Sequence, residues 1–263
     1  RCFLCRAWSG LLVGGLTGLG FETVKFIAEN GGGCIAILSR RILSNEKQEE
    51  MKALQQQYKG SKVVFVQCDV TLTGDVEKAF KSIANTFVGI PIKGVFQGAV
   101  ALHDGHLEVL TLADFQKVLS PKVAGTLNLH WATRGQELDY FVCYSSVASF
   151  LGNATQTNYA AANSFLDLFC LYRRNRGLSG QSINWGALNL GILLNQNHIQ
   201  SILRSKGIDI LQTRLGELLL PRFPLGSCHN PMVLHFFLAL APVWEPVRWV
   251  GGRWSAGSGK HSS

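Results

Sequence analysis

The sequence predicts an α/β protein built on a doubly wound parallel sheet. Three observations lead there. Short apolar, β-rich runs recur along the chain, and most are separated by stretches of helical period. The first run leads straight into a glycine-rich turn. With 263 residues, 47% apolar and 16% charged, the chain can bury a sizeable core. Wholesale disorder is excluded on the same numbers.

Taken in order, the expected strands are residues 11–13, 34–38, 63–66, 94–99, 140–144 and 182–185. Residues 20–29, 46–58 and 75–87 alternate polar and apolar positions with helical period and fill the first three gaps. Strands alternating with helices imply βαβ units, whose right-handed crossovers place helices on both faces. Residues 1–10 form an unassigned N-terminal stub, and residues 11–211 carry the α/β pattern. Residues 212–263 break it, with five of the seven prolines, three of the six tryptophans and a Gly/Ser-rich end. Prolines there oppose long helices and central strands, so an irregular, poorly structured tail is expected.

Composition bounds the function classes. A net charge of +8 suits an anionic partner. The basic residues are scattered, with only short clusters such as Arg40-Arg41 and Arg173-Arg174, and nucleic acid is not expected. No stretch reaches the roughly 18–20 uncharged apolar residues of a membrane helix. The nearest, residues 232–244, contains His235 and Pro242. Seven widely spaced cysteines read as reduced thiols of a cytoplasmic protein, and the lone Cys2-x-x-Cys5 has no second pair to make a zinc site. No signal peptide is visible. The chain starts at Arg1 rather than Met, and is expected to be a piece of something longer.

The glycine turn lies in Leu11-Leu12-Val13-Gly14-Gly15-Leu16-Thr17-Gly18-Leu19-Gly20. Gly14 permits a sharp turn. Gly18 and Gly20 let backbone and helix approach a pyrophosphate seated at the helix N-terminus, with Gly15 and Leu19 beside them. A plain tight turn is the bland alternative. The second strand ends in Ser39-Arg40-Arg41. An arginine there can clamp a 2′-phosphate where an NAD site would use a carboxylate, so Arg40 argues for NADPH over a merely solvated charge. The third strand ends in Cys68-Asp69-Val70. Asp69 can accept from an adenine amino group or cap the loop.

The strongest constellation is Tyr144-Ser145-Ser146 followed by Tyr159-Ala160-Ala161-Ala162-Asn163, with Ser146 13 residues before Tyr159. Asn163 falls one helical turn after Tyr159, so both can face one cleft. Reducing a ketone needs a proton donor beside the carbonyl oxygen. A tyrosine serves if a nearby cation lowers its pKa, and a serine hydroxyl can hold the same oxygen. Lys122, in Ser120-Pro121-Lys122-Val123-Ala124-Gly125, is the candidate cation.

At these residues the chain resembles the ketoreductase domain of polyketide synthases and animal fatty acid synthase, within the short-chain dehydrogenase/reductase superfamily. The spacing G-x-x-x-G-x-G is that superfamily's variant of the Rossmann turn. Ordinary members carry lysine four residues after the tyrosine. The ketoreductases have asparagine there and supply the lysine from the preceding long helix, as Asn163 and Lys122 do. "DYFVCYSSVASFLGNATQTNYAAANSFLD", "PKVAGTLNLHWAT" and "INWGALNLGIL" all resemble the family, nearest in tone to animal multidomain synthases. The resemblance implies NADPH, a β-ketoacyl substrate tethered to an acyl carrier protein, and other synthase domains as partners. It implies Tyr159 as proton donor, Ser146 as carbonyl holder, Lys122 as electrostatic support, and Asn163 as the residue orienting Lys122 or a relay water. It puts Gln97 at the cofactor ribose, although Gln97-Gly98-Ala99 stands where His or Asn with Ala and Gly is usual. Val13 likewise replaces a usual threonine. Residues 195–206 resemble the family's substrate lid. Leu102-His103-Asp104 resembles the L-x-D of one stereochemical class, while Leu151 replaces the tryptophan of the other. The family's upstream structural half and downstream carrier domain have no counterpart in these residues. Two other readings stay open: a free-standing dehydrogenase acting on a diffusible ketone or alcohol, and a catalytically dead structural or interaction fragment.

Overall fold

A computed structural model describes residues 9–188 and, as backbone, residues 248–250 and 253–255. The first six strands are β1 (Ser9–Val13), β2 (Cys34–Ser39), β3 (Lys62–Gln67), β4 (Ile92–Gln97), β5 (Tyr140–Ser146) and β6 (Gln181–Trp185). The helices are α1 (Gly18–Glu29), α2 (Asn45–Gln57), α3 (Thr73–Thr86), α4 (Leu112–Ala132), α5 (Ala148–Leu151) and α6 (Thr157–Asn175). The six strands form one parallel sheet in the order β3-β2-β1-β4-β5-β6. The direction of winding therefore reverses between β1 and β4, and the crevice at the carboxyl ends of those two strands is where such sheets bind ligands.

The strand sequences fit their places. β1 and β2 lie inside the sheet and are buried almost throughout, as parallel strands covered on both faces must be. β3 lies at the edge and is more exposed. Leu11, Val13, Ala36, Leu38, Val95, Phe141 and Cys143 point to one face, where they pack against α3, α4 and α6. Leu12, Ile35 and Ile37 are also buried and face the other side, which α1 and α2 cover. Helix starts follow local chemistry. The Ser44 side chain accepts from Lys47 N–H at α2, and Thr111 and Asp114 make a reciprocal capping box at α4.

Element ends differ from the sequence expectation in three places. β1 starts at Ser9, inside the unassigned stub, because the buried Ser9 hydroxyl donates to the Pro91 carbonyl at 2.8 Å. β4 stops at Gln97 rather than residue 99, since the Ala99 N–H is taken by the Gln97 side chain at 3.1 Å. β5 continues through Ser145 and Ser146, which pair in register with Asn184 and Trp185.

The chain divides into two compact units. Residues 9–185 lie in the first. In the second, β7 (Arg248–Val250) and β8 (Arg253–Ser255) pair antiparallel, with Trp249 opposite Trp254. The expected lid at 195–206, the apolar stretch 232–244 and the rest of the expected tail lie outside the described residues.

Candidate active site

The glycine turn sits on the switch point. Gly14 N–H donates to the Leu38 carbonyl and Gly98 N–H to the Val13 carbonyl, both at 3.0 Å, so the ends of β1, β2 and β4 meet there. Gly14 has φ +76°, and a Cβ on it would stand 2.9 Å from the Gly98 oxygen. At Gly20 a Cβ would come within 2.4 Å of the Gly14 oxygen. Neither position accepts a side chain. Gly15 packs on Ile37, and the Leu19 carbonyl accepts from the Thr23 hydroxyl. Helix α1 opens at Gly18 with no side-chain cap and no acidic residue in its first turn. Its leading N–H groups are thus left for an anion. This cradle fits the pyrophosphate of a dinucleotide.

The residues expected at the adenosine end stand where β2 and β3 finish. The Arg40 guanidinium is exposed and lies 3.9 Å from Asp69 Oδ2. Asp69 Oδ1 accepts from the Thr71 N–H at 2.9 Å and from the Thr71 hydroxyl at 2.8 Å. Asp69 therefore caps the loop, with its second oxygen left facing Arg40. The Ser39 hydroxyl accepts from Arg41 N–H. Val70 is buried against Gly125 of α4.

Gln97 departs from its expected role. Its side chain is fully buried and donates to the Pro121 carbonyl at 2.9 Å and to the Thr126 hydroxyl at 3.3 Å. Its oxygen accepts from Ala99 N–H. The amide is spent inside the fold.

Lys122 comes from α4, one residue after Pro121, and is buried at 3% exposure. Its Nζ donates to the Tyr144 carbonyl at 2.8 Å and lies 5.9 Å from the centre of the Tyr159 ring. Burial pulls its pKa down to about 8, against the opposing influence of the Cys143 thiol and the Asp167 carboxylate. Tyr159 is half-buried on α6. Burial raises its pKa, and the Ser146 hydroxyl and Asn163 amide pull it back down, while Asp104 adds to the rise. Ser146 and Asn163 supply this lowering, while the Lys122 ammonium, expected from the sequence to do so, stands 5.9 Å from the ring centre. The hydroxyl stays protonated at neutral pH, as a proton donor must. Asn163 is fully buried. Its Nδ2 donates to the Tyr159 carbonyl at 2.8 Å, and its Oδ1 has no hydrogen-bond partner among the described residues. That oxygen can accept from a water or an ammonium.

Several supporting residues escaped sequence reasoning. Asn184, fully buried on β6, reaches Ser145, Ser146, Ser149 and Asp167. A polar residue inside an apolar strand was its available signal. Asn158 donates to the His103 carbonyl, and Gln156 to both oxygens of Asp104 at 3.1 Å. These bonds bring the 103–104 loop to the start of α6. The buried Tyr144 hydroxyl meets Thr23 at 2.6 Å, joining β5 to α1. Among the described residues there is no cluster of side chains able to hold a metal ion and no helix long and apolar enough to cross a membrane.

A phosphate cradle at the switch point, next to a tyrosine, a serine and a buried lysine, defines the class: a Rossmann-like oxidoreductase of the short-chain dehydrogenase type. Residues 9–189 match the KR domain family, and the chain belongs to that family, the ketoreductases of polyketide synthases. It is 40% identical over 206 residues to "Highly-reducing polyketide synthase 1" of Aureobasidium melanogenum, covering 78% of this chain and 9% of that protein. It is 37% identical over 216 residues to "Prosolanapyrone synthase" of Alternaria solani, covering 81% of this chain and 8% of that protein. The chain thus spans under a tenth of these relatives' length. The crystal structure of a ketoreductase domain from the bacillaene assembly line aligns with a TM-score of 0.73 at 32% identity, covering 82% of this chain and 53% of that one. The expected animal character finds no support in these fungal relatives.

Proposed function

We propose that this chain reduces the β-keto group of an acyl thioester tethered to an acyl carrier protein, using NADPH, as one part of a longer cytoplasmic polyketide synthase. The observation that carries this reading is the exchange of lysine and asparagine. Asn163 occupies the helical turn after Tyr159, and the buried Lys122 approaches the tyrosine ring from α4 instead.

Gly14, Gly15, Gly18, Leu19 and Gly20 would hold the pyrophosphate. Ser39 and Arg40 would receive the 2′-phosphate, and Asp69 and Val70 would border the adenine. When bound, NADPH supplies the hydride. The protein's own share is proton and charge management. Ser146 holds the substrate carbonyl oxygen by a hydrogen bond. Tyr159 donates its proton to that oxygen as charge develops there. Lys122, held by the Tyr144 carbonyl, provides positive charge behind the tyrosine. Asn163 Oδ1 positions a water through which Tyr159 regains a proton. Gln156 donates to Asp104 of the Leu102-His103-Asp104 segment and holds it near the start of α6; the segment's resemblance to L-x-D is what favours the stereochemical class that carries it.

The test compares turnover of NADPH by the purified chain on three substrates: a β-ketoacyl group on a carrier protein, the same group on a short pantetheine thioester, and a free ketone. The expected order is carrier-linked first and free ketone last. Equal turnover on the free ketone would point to a free-standing dehydrogenase. A folded sample that binds no NADPH would overturn the reading in favour of a structural module.

A further inference from the structure

The reaction side of the site rests on a network that none of the roles above uses. Asp167 lies on α6 one turn beyond Asn163 and two turns beyond Tyr159, on the same side of the helix. Its Oδ1 accepts from the Ser182 hydroxyl, and its Oδ2 accepts from Asn184 Nδ2 at 3.0 Å. The same Asn184 nitrogen lies 2.9 Å from Ser149 Oγ, 3.2 Å from Ser145 Oγ and 3.3 Å from the Ser146 carbonyl. Ser145 Oγ in turn donates to the Asn163 carbonyl at 3.2 Å. A continuous path therefore runs from a carboxylate on α6, across β6, to the end of β5, and back to α6 at Asn163.

Two hydrogens on one amide nitrogen serve four acceptors, of which the carboxylate is the strongest. The charged end decides which way the amide points, and the neutral serines follow. Asn184 stands opposite Ser145 in the β5–β6 register, so the amide needs no strand movement to reach it.

We propose that Asp167, acting through Asn184, is the positioning residue of this site, fixing the strand end that carries Ser146 against the helix that carries Tyr159 and Asn163. The proposal rests on the ketoreductase reading for its catalytic consequence, but not for its electrostatic one. Among the described residues, this carboxylate is also the one acidic side chain whose charge bears on Lys122. Among the described residues, the Tyr144 carbonyl of β5 and the Tyr159 ring of α6 lie against that ammonium, and the charges of Cys143 on β5 and Asp167 on α6 act on it. Asp167 favours the charged lysine, which burial otherwise opposes.

The experiment uses the full chain. Asp167→Asn keeps the shape, removes the charge, and sets an amide against the Asn184 amide. Three readouts are taken. The midpoint of Lys122 is followed by NMR on lysine-labelled protein, and is expected to fall by about one pH unit. The alkaline limb of kcat for ketoacyl reduction moves down with it, and kcat near pH 7 falls by about tenfold or more. The dissociation constant of NADPH stays within about twofold, since Asp167 lies away from the glycine cradle. A merely structural role would lower stability and leave the lysine midpoint and the pH limb in place. That outcome overturns the proposal. Asn184→Ala breaks the link but keeps the charge, and must lower kcat without moving the midpoint. Full activity in Asn184→Ala equally overturns it, and this variant decides the matter should Asp167→Asn fail to fold. If the wild-type chain reduces no ketoacyl thioester, the functional reading fails, and the positioning role is judged by the backbone amide NMR shifts of Ser145 and Ser146, which must move in both Asp167→Asn and Asn184→Ala and whose constancy overturns the proposal.

Discussion

The Lys122 ammonium donates to the Tyr144 carbonyl at 2.8 Å, tying helix α4 to β5 immediately before Ser145 and Ser146. One buried cation thereby faces both the strand that carries the serine and the ring of the tyrosine. On the proposed reading, a lysine supplied from a neighbouring helix stands in for one on α6, its ammonium 5.9 Å from the centre of the tyrosine ring. It also braces the strand end mechanically.

Tyr159→Phe should abolish ketone reduction and leave NADPH affinity nearly unchanged. Loss of the general acid costs roughly 10²–10⁴-fold in kcat, while the glycine cradle is untouched. Steady-state turnover together with fluorescence titration of NADPH checks both halves. Turnover near the wild-type value would remove Tyr159 from the chemistry.

Replacing Arg40 with Ala should weaken NADPH by roughly 1–3 kcal/mol, the scale of hydrogen bonds to charged groups, and spare NADH. The guanidinium is exposed and its contact with Asp69 is long, 3.9 Å, so little stability depends on that pair. Side-by-side titration with the two cofactors is the check, and equal losses would reduce Arg40 to a surface charge.

Much of this was legible in the sequence, for a physical reason. Strands covered on both faces must be apolar, so β1, β2, β4 and β5 announce themselves. The glycines announce the cradle because a Cβ at Gly14 or Gly20 would strike backbone. Tyr159 and Asn163 are readable because one helix fixes their relation. Asn184 and Asp167 were not, since their partnership crosses from β6 to α6 and exists only after packing. Gln97 was misplaced for the same reason. The family resemblance put it at the cofactor ribose, but Pro121 and Thr126 of a distant helix claim its amide.

That correction is itself testable. Gln97→Leu removes bonds to Pro121, Thr126 and Ala99, and should destabilise the fold by about 2–4 kcal/mol. NADPH affinity should change by no more than about twofold in the fraction that remains folded. Denaturant unfolding and cofactor titration separate the two effects. A selective loss of NADPH binding at full stability would restore Gln97 to the cofactor site.

Lys122→Met should inactivate the enzyme and yet stabilise the protein near pH 7 by about 1–3 kcal/mol. The unfolded chain holds the lysine proton up to about pH 10.4, the folded protein only up to about 8. Between those values unfolding takes up a proton, so this residue's contribution to stability rises with pH across the window. Below pH 8 the folded state bears the full cost of a buried charge, and methionine lifts it. The gap between wild type and variant should therefore close from pH 8 toward pH 10 in urea titrations. A variant less stable than wild type at pH 7 would contradict this account.

The β1–β4 seam has a consequence for how the chain reaches its native state. Within the six-stranded sheet, β1 through β3 pair among themselves, as do β4 through β6, and only this seam joins the two sets. It brings together residues as far apart as Ser9 and Pro91, separated by 82 positions. Each set can gather locally as synthesis proceeds, but closing so long a loop is entropically slow. The approach of Gly14 to Gly98 exists only once that loop has closed. The nucleotide cradle is therefore among the last features to appear, and a dinucleotide that binds it would act as a latch on the finished sheet.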